Sequence, residues 1–229
     1  LQFGDSVKAQ FGAGNDLGIY HSSSNNIIQC DNGYQLHINK DTSENMAKFI
    51  PDGAVELFYD NVKKLETTSS GIQVKNTGAA STWVGLESTD GTCGYLVGQS
   101  NAGGGSDKAV ALYNAAGNET LLRGITDGAV ELYHNNFKSF ETHANGITVI
   151  GPEGGGGILR LYGDEGDDNA DKWDLNANTN GTLLVRNYAS GSWENSIIAT
   201  GNGNVELYYD GSLQCKTASY GLDFADNKR

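Results

Sequence analysis

The chain of 229 residues repeats itself at an interval of 75 residues (127 − 52 = 205 − 130 = 75). The repeated segment has three versions: DGAVELFYDNVKKLETTSSGI at 52–72, DGAVELYHNNFKSFETHANGI at 127–147 and NGNVELYYDGSLQCKTASYGL at 202–222. Self-similarity at a fixed period is the signature of repeat architectures. The chain is therefore expected to contain one structural unit several times, and not a single irregular globule.

A fourth, degenerate copy, DLGIYHSSSNNIIQCDNGYQL, lies at residues 16–36. In every copy a glycine follows the first apolar position by 16 residues: Leu17 to Gly33, Val55 to Gly71, Val130 to Gly146 and Val205 to Gly221. The interval from the first to the second copy is only 38 residues (55 − 17 = 38). The segment between hairpins is therefore abbreviated at the N-terminal end.

Each copy has the pattern of a β-hairpin. In VELFY, alternation places Val55, Leu57 and Tyr59 on one face and Glu56 and Phe58 on the other. Three dipeptides that tolerate positive φ follow, which indicates two-residue turns: Asp60-Asn61, Asn135-Asn136 and Asp210-Gly211. The returning strand has an apolar residue at Leu65, Phe140 and Cys215, after which Gly71, Gly146 and Gly221 are expected at φ > 0.

Such a hairpin has apolar residues on both faces of its first strand and cannot bury them alone. We therefore expect either stacked repeats within one chain or several intertwined chains, and both arrangements are elongated. Between the hairpins, four short strands are predicted in each full period: 83–87, 94–98, 109–113 and 121–125, then 158–162, 172–178, 183–188 and 196–200. They are interpreted as a small sheet or one layer of a sandwich.

The resulting organisation has six segments. They are a degenerate first repeat (1–50), a hairpin (51–75), a small β block (76–126), a hairpin (127–150), a second β block (151–201), and a hairpin with a C-terminal tail (202–229). The glycine-rich stretches NAGGGSD and PEGGGG are interpreted as flexible linkers or turns, because neither matches a phosphate-binding loop.

Composition agrees with an all-β fold. Glycine occurs 32 times and proline twice, charged residues make up 19% of the chain, and no segment has a convincing helical period. The net charge of −13 argues against nucleic-acid binding, and no apolar run is long enough for a membrane span. The sequence opens at Leu1 within a strand-like LQFG, without an initiator methionine or a signal peptide. We expect it to be a piece of a longer protein.

The three cysteines, Cys30, Cys93 and Cys215, are far apart and odd in number. They lack the spacing of a zinc site, and buried free thiols are expected in place of disulfides. Trp83, Trp173 and Trp193 could stack on sugars, but aromatic side chains more commonly fill a thin β core.

No catalytic, cofactor-binding or metal-binding residue is predicted. The recurring Glu56, Glu131 and Glu206 are interpreted as repeat-packing residues, facing solvent or paired with Lys63 or Lys138, and not as an acid/base pair for glycoside hydrolysis. The acidic run GDEGDDNAD at 163–171 could bind calcium. It matches no known calcium motif, and a solvated acidic turn is the preferred interpretation.

Several phrases resemble bacteriophage tail-fibre and other virion structural proteins, especially those of phages of marine cyanobacteria and other marine bacteria. They are DGAVELFYDNVKKLETTSSGIQV, LRLYGDEGDDNADKWDLNAN, NVELYYDG and the opening LQFG with NDLGIYHSSSN. The similarity spans about residues 1–224. Departures are Ser22-Ser23, where Asp-Gly is usual, and Cys215, where the family has an apolar or aromatic residue.

The resemblance implies an elongated, intertwined homotrimeric β-fibre of the virion. Its partners would be copies of itself, other virion or tail proteins, and a glycan or protein receptor on the host surface, with no cofactor, nucleic acid or membrane insertion. Two alternatives remain at this stage: a structural filament or sheath subunit, and a tailspike-like enzyme that cleaves surface polysaccharide.

Overall fold

A computed structural model of the chain describes residues 3–76, 81–100 and 108–225. Within these ranges the protein has no α-helix and forms four antiparallel sheets, so the all-β prediction is confirmed. The chain divides into two compact units, Leu1–Lys108 and Ala109–Arg229. The division falls within the third sheet, and each unit is described by itself.

In every sheet the strands follow one another in chain order. The first sheet contains β1 (Ala9–Phe11), β2 (Leu17–Ser22) and β3 (Asn25–Cys30). The second contains β4 (Leu36–Lys40), β5 (Glu44–Phe49), β6 (Val55–Tyr59), β7 (Val62–Thr68) and β8 (Gly71–Val74). The third begins in the first unit with the hairpin of β9 (Ser81–Ser88) and β10 (Gly91–Ser100).

In the second unit the third sheet contains β11 (Lys108–Tyr113), β12 (Thr120–Ile125), β13 (Val130–His134), β14 (Phe137–His143) and β15 (Gly146–Val149). The fourth contains β16 (Gly157–Tyr162), β17 (Lys172–Ala177), β18 (Thr182–Asn187), β19 (Glu194–Thr200), β20 (Val205–Tyr209), β21 (Ser212–Ala218) and β22 (Gly221–Phe224). Two single-turn 3-10 segments, Asp164–Gly166 and Asn169–Asp171, lie between β16 and β17.

All eight strands predicted between the hairpins are present. Of the strand-like LQFG, only Phe3 and Gly4 are among the described residues, and both are irregular; the first strand of the described chain begins at Ala9. The stretch NAGGGSD lies outside the described residues. Within each unit, strands pack mainly against their neighbours along the chain, as in single-layer meanders.

The turn geometry is as predicted. Asp60 and Asn61 have φ of 50° and 60°, and the equivalent dipeptides at 135–136 and 210–211 are also positive at both positions. This is the conformation that matches the right-handed twist of the two strands. Gly71, Gly146 and Gly221 have φ of 140°, 146° and 132°, which a side chain would disfavour.

Two of the turns are also joined to the preceding strand by an asparagine side chain. Asn136 Oδ1 accepts a hydrogen bond from the Thr120 amide (3.0 Å), and its Nδ2 donates to the Asn118 carbonyl (3.1 Å). Asn61 makes the same pair of bonds to Asn45 and Ser43. The third copy has Gly211 at this position, so the turn conformation is kept without the side-chain bonds.

The segment 151–157 is a turn, as expected. Its glycines are required for steric reasons as well as for flexibility. The Gly155 amide donates to the Pro152 carbonyl (2.8 Å). A Cβ on Gly156 would lie 2.8 Å from the Ala177 carbonyl oxygen, and one on Gly157 would lie 2.8 Å from that of Val149. Backbone segments therefore approach too closely here for any other residue.

Substitutions at the turn asparagine test this local account. Asn136→Gly keeps the positive φ and loses both side-chain bonds, so it should lower the free energy of unfolding by about 1–2 kcal/mol. Asn136→Ala should cost about 1–2 kcal/mol more, because alanine is strained at positive φ. Urea unfolding at fixed protein concentration measures both.

The reciprocal substitution Gly211→Asn should give a matching gain in stability. It would place an amide within reach of the positions equivalent to Thr120 and Asn118, which are Asn195 and Trp193. It should raise the unfolding midpoint, both through these bonds and by restricting the unfolded chain. A lower midpoint for Gly211→Asn would contradict the proposed equivalence of the three turns.

Candidate functional site

The strand registers align apolar side chains in continuous rows across the sheets. In the second sheet one row contains Ile38, Ala47, Leu57, Leu65 and Val74. In the third it contains Leu112, Leu122, Leu132, Phe140 and Val149. In the fourth it crosses seven strands through Leu159, Leu175, Val185, Ile197, Leu207, Cys215 and Phe224. We call the sheet face with this row the apolar face.

The apolar face is exposed in each unit. Leu57, Leu132 and Leu207 hold equivalent positions in the three copies, and their exposed fractions are 44%, 41% and 44%. Among the described residues only five apolar side chains are buried: Ala47, Val97, Ala109, Ala111 and Leu184. The apolar residues of the returning strand, Leu65, Phe140 and Cys215, lie directly opposite these leucines. Within each unit, the described residues leave the face that they form largely uncovered.

The opposite face of the second and third sheets has a ladder of ion pairs, which we call the polar ladder. Lys63 Nζ donates to Glu56 (2.7 Å) and also to Glu66, which in turn contacts Lys75. In the third sheet Lys138 bridges Glu131 (3.1 Å) and Glu141. The pairing of Glu56 with Lys63 and of Glu131 with Lys138 is therefore confirmed.

Glu131 is the most enclosed member of the ladder, with 4% of its surface exposed. Its Oε2 accepts hydrogen bonds from Arg123 Nε and from the Tyr133 hydroxyl, both at 2.7 Å. The Arg123 guanidinium also lies 5.9 Å from the Tyr133 ring centroid. Lys48 and Phe58 make the equivalent cation–π contact in the second sheet (5.3 Å). Phe58 of VELFY is thus covered by a cation and not by an apolar core.

These contacts lower the pKa of the ladder carboxylates. Burial raises the pKa of Glu131, but hydrogen bonds from Arg123, Tyr133 and Lys138 outweigh it, and the pKa lies below its ordinary value of 4.5. The hydrogen bond from Lys63 lowers the pKa of Glu66, and that from Lys138 lowers the pKa of Glu141. The same bonds raise the pKa of both lysines.

The fourth sheet departs from the ladder. Positions equivalent to Arg123, Lys138 and Glu141 are Ile198, Leu213 and Lys216. Glu206 accepts hydrogen bonds from the Tyr208 hydroxyl (2.6 Å) and Asn204 (2.9 Å), and neither partner is a cation. The bond from Tyr208 is the main cause of the lowered pKa of Glu206. The predicted packing role of this glutamate is met, but with neutral partners.

A different ion pair lies on the same face of the fourth sheet. Arg186 binds Asp174 through two hydrogen bonds, Nε to Oδ1 (2.8 Å) and Nη2 to Oδ2 (2.6 Å). Asp174 is 1% exposed, so its charge is fully compensated by this fork. Sequence reasoning missed this pair, because its members lie on neighbouring strands 12 residues apart and match no motif.

The acidic run brings three carboxylates together. One oxygen each of Asp167, Asp168 and Asp171 lies within 4.8 Å of the others. Asp167 and Asp168 are exposed, and none of the three has a protein cation as an ion-pair partner within the described residues. This geometry is shared by many solvated acidic turns, and the preference for such a turn stays a prediction.

The cysteines and tryptophans are less buried than predicted. The described structure contains no disulfide at the three cysteines, but Cys93 is exposed and Cys30 and Cys215 are only half-buried. Trp83 and Trp173 are each 42% exposed. Trp193 is half-buried against Tyr188, with ring centroids 5.2 Å apart. A single layer has no interior deep enough to enclose such side chains.

Comparison with models of known protein families gave no match, and comparison with curated proteins gave none either. Among the described residues, no helix is of a length and hydrophobicity suited to crossing a bilayer.

The polar ladder predicts acid sensitivity. Unfolded carboxylates protonate near pH 4.5, whereas Glu66, Glu131 and Glu141 stay charged to lower pH in the folded chain. The unfolded state then binds more protons, so stability should fall as pH drops below about 5 and continue to fall through the folded pKa values. Urea midpoints measured from pH 7 down to pH 3 test the sign.

Glu131→Gln should lower the free energy of unfolding at pH 7 by about 1–3 kcal/mol, because Arg123 and Lys138 lose a charged partner. It should also flatten the acid dependence. Glu153→Gln, at an exposed turn outside the ladder, is the matched control. An acid limb unchanged by Glu131→Gln would contradict the assignment.

For the acidic run, a solvated turn predicts that EDTA, and calcium added afterwards, leave the melting temperature unchanged. A rise in melting temperature with calcium that is lost in Asp168→Asn would identify a metal site instead.

Proposed function

We propose that the chain is a structural and adhesive subunit of a bacteriophage tail fibre, or of a similar virion appendage, which assembles as a homotrimer. The observation that supports it most is the exposed apolar face, repeated in the second, third and fourth sheets. The resemblance of the hairpin segments to virion proteins gives the biological setting.

The amount of exposed surface supports association. Burying a leucine side chain is worth about 1.5–3 kcal/mol. The apolar rows contain many such side chains at partial exposure, so a partner that covered them would gain a large hydrophobic free energy.

A second copy of the chain is the partner that fits best. Row lengths differ, with five residues in the second sheet and seven in the fourth. Identical chains related by a rotation axis match each row with the same row of another copy, which has equal length. Cyclic symmetry meets this condition, and the family resemblance favours three copies.

Adhesion follows from the symmetry of such an assembly. Three chains present three identical sites outside the covered apolar faces, and linked weak sites bind more tightly than one site when the geometry permits simultaneous contact. The host receptor would be a glycan or a protein of the cell surface, and the localisation would be the virion.

Two alternatives lead to different results. A filament or sheath subunit would give a ladder of masses in place of a single trimer. A polysaccharide depolymerase would release reducing ends from host glycan. Glu56 and Glu131 argue against the second alternative, because both are engaged by lysines in the polar ladder.

Sedimentation equilibrium of the chain tests the proposal. The expected mass is three times 24.3 kDa. Leu207→Glu should convert the trimer to monomer with an unchanged far-UV circular dichroism spectrum, since three buried leucines are lost and three charges are placed at the interface.

The matched control is Tyr220→Glu, at a turn position that is 79% exposed, and it should stay trimeric. A stable monomeric wild-type chain would overturn the proposal. The relative direction of the associated chains is tested by covalent cross-linking of Leu57→Cys, in a chain from which the native cysteines have been removed. Cross-links between Leu57→Cys chains are expected. Cross-links that form only in mixtures of Leu57→Cys and Leu207→Cys chains would show that the chains run in opposite directions.

A further inference from the structure

The polar face of the fourth sheet has a cluster of cations and aromatic rings that the assembly does not require. Arg160, Asp174 and Arg186 lie side by side on three neighbouring strands. Strand alternation places Tyr162 on the same face as Arg160. Trp193 packs against the group from the connection between β18 and β19.

The two arginines have different partners. Asp174 gives both of its oxygens to Arg186, so that pair is neutral and closed. Arg160 is directly opposite Asp174 in the register. Its side chain, however, has no hydrogen bond or ion pair with any described residue. The Arg160 side chain is exposed. In a chain with a net charge of −13, this cation is left available.

Trp193 holds Arg160 in position. The carbon at the centre of the Arg160 guanidinium lies 5.5 Å from the centroid of the Trp193 ring, and that of Arg186 lies at 5.4 Å. An arginine stacked on a ring uses the face of its guanidinium, while its N–H groups point outward in the guanidinium plane. These donors form a fork that fits a carboxylate or a sulfate.

Tyr162 adds an apolar surface beside this fork. The Tyr162 ring lies next to Gly166, where a Cβ would be 2.9 Å from a ring atom. Half of the surface of Tyr162 is exposed. Sugar rings bind aromatic faces through their C–H groups. The acidic connection 163–171 directly follows Tyr162 in the chain, which favours placing the ligand's charge at Arg160 and its uncharged part at Tyr162.

We infer that this cluster, which we call the Arg160 cluster, binds an anionic saccharide, with a carboxylate or sulfate on the Arg160 fork and a sugar ring against Tyr162. The inference rests on the proposed adhesive function and names its ligand class. Lys172, whose Nζ lies 5.8 Å from the Tyr188 centroid, adds a second cation without a carboxylate partner in the described structure.

Isothermal titration calorimetry with four polymers tests the ligand class. Alginate provides carboxylates, dextran sulfate provides sulfates, dextran is neutral, and oligodeoxythymidylate is a nucleic acid. We expect binding to one or both acidic polysaccharides that weakens with added salt, and no binding to dextran. Absence of binding to both, or equal affinity for the oligonucleotide, would overturn the inference.

Three variants locate the site. Arg160→Gln should weaken binding by about tenfold or more, since a charged bidentate contact is lost. Arg160→Lys should recover only part of the affinity, because an ammonium group lacks the fork. Lys48→Gln is the matched control, as Lys48 also lies over an aromatic ring (5.3 Å from the Phe58 centroid), and it should bind like the wild type.

Unchanged affinity in Arg160→Gln, an Arg160→Lys variant equal to the wild type, or an equal loss in Lys48→Gln would refute the assignment. Sedimentation of the same samples separates this inference from the proposed assembly. A trimer that binds none of the polymers refutes the Arg160 cluster alone, whereas a monomer that binds through Arg160 refutes the assembly alone.

Discussion

The structure depends on one constraint: the two-residue period of an extended chain folded into antiparallel meanders. Because successive strands pair in order and in register, each alternate residue joins a row that crosses the sheet. The leucine of VELFY or VELYY then lies beside an apolar residue on both neighbouring strands. A single layer has only two faces, so a row of apolar residues on one of them is either covered from outside or left in water.

The two faces differ in how they are stabilised. On the polar face of the second and third sheets, the charged side chains of the ladder are paired and partly covered by their cross-strand neighbours, which is why Glu131 is buried although few apolar side chains of the described chain are. On the apolar face the side chains have no comparable cover within the chain. The ladder therefore contributes to the order of a single sheet, whereas the apolar row provides free energy only when chains associate. In the proposed assembly, one surface would maintain the fold and the other would drive association.

Local features were predictable because they depend on neighbouring residues. The positive φ values at Asp60-Asn61 follow from dipeptide chemistry, and the strand positions follow from alternation and turn residues. What could not be predicted was how far each face of a sheet would be covered within its unit. Burial of Trp83, Trp173 and Cys93 was expected from residue type, but burial depends on a second layer that these meanders lack. The Asp174–Arg186 pair was also out of reach, since register across a 12-residue separation decides it.

The copies of the hairpin differ most where their roles would differ. Leu57, Leu132 and Leu207 are the same residue with nearly the same exposure, as expected if each meets the same kind of partner. On the other face the fourth sheet replaces Lys138 by Leu213, and Glu206 accepts its hydrogen bonds from neutral groups, while positive charge lies at Arg160 and Arg186. Three symmetry-related chains would each present this altered face outward. In the proposed assembly, association would constrain one face in every copy, while a single copy would be free to acquire a recognition surface on the other.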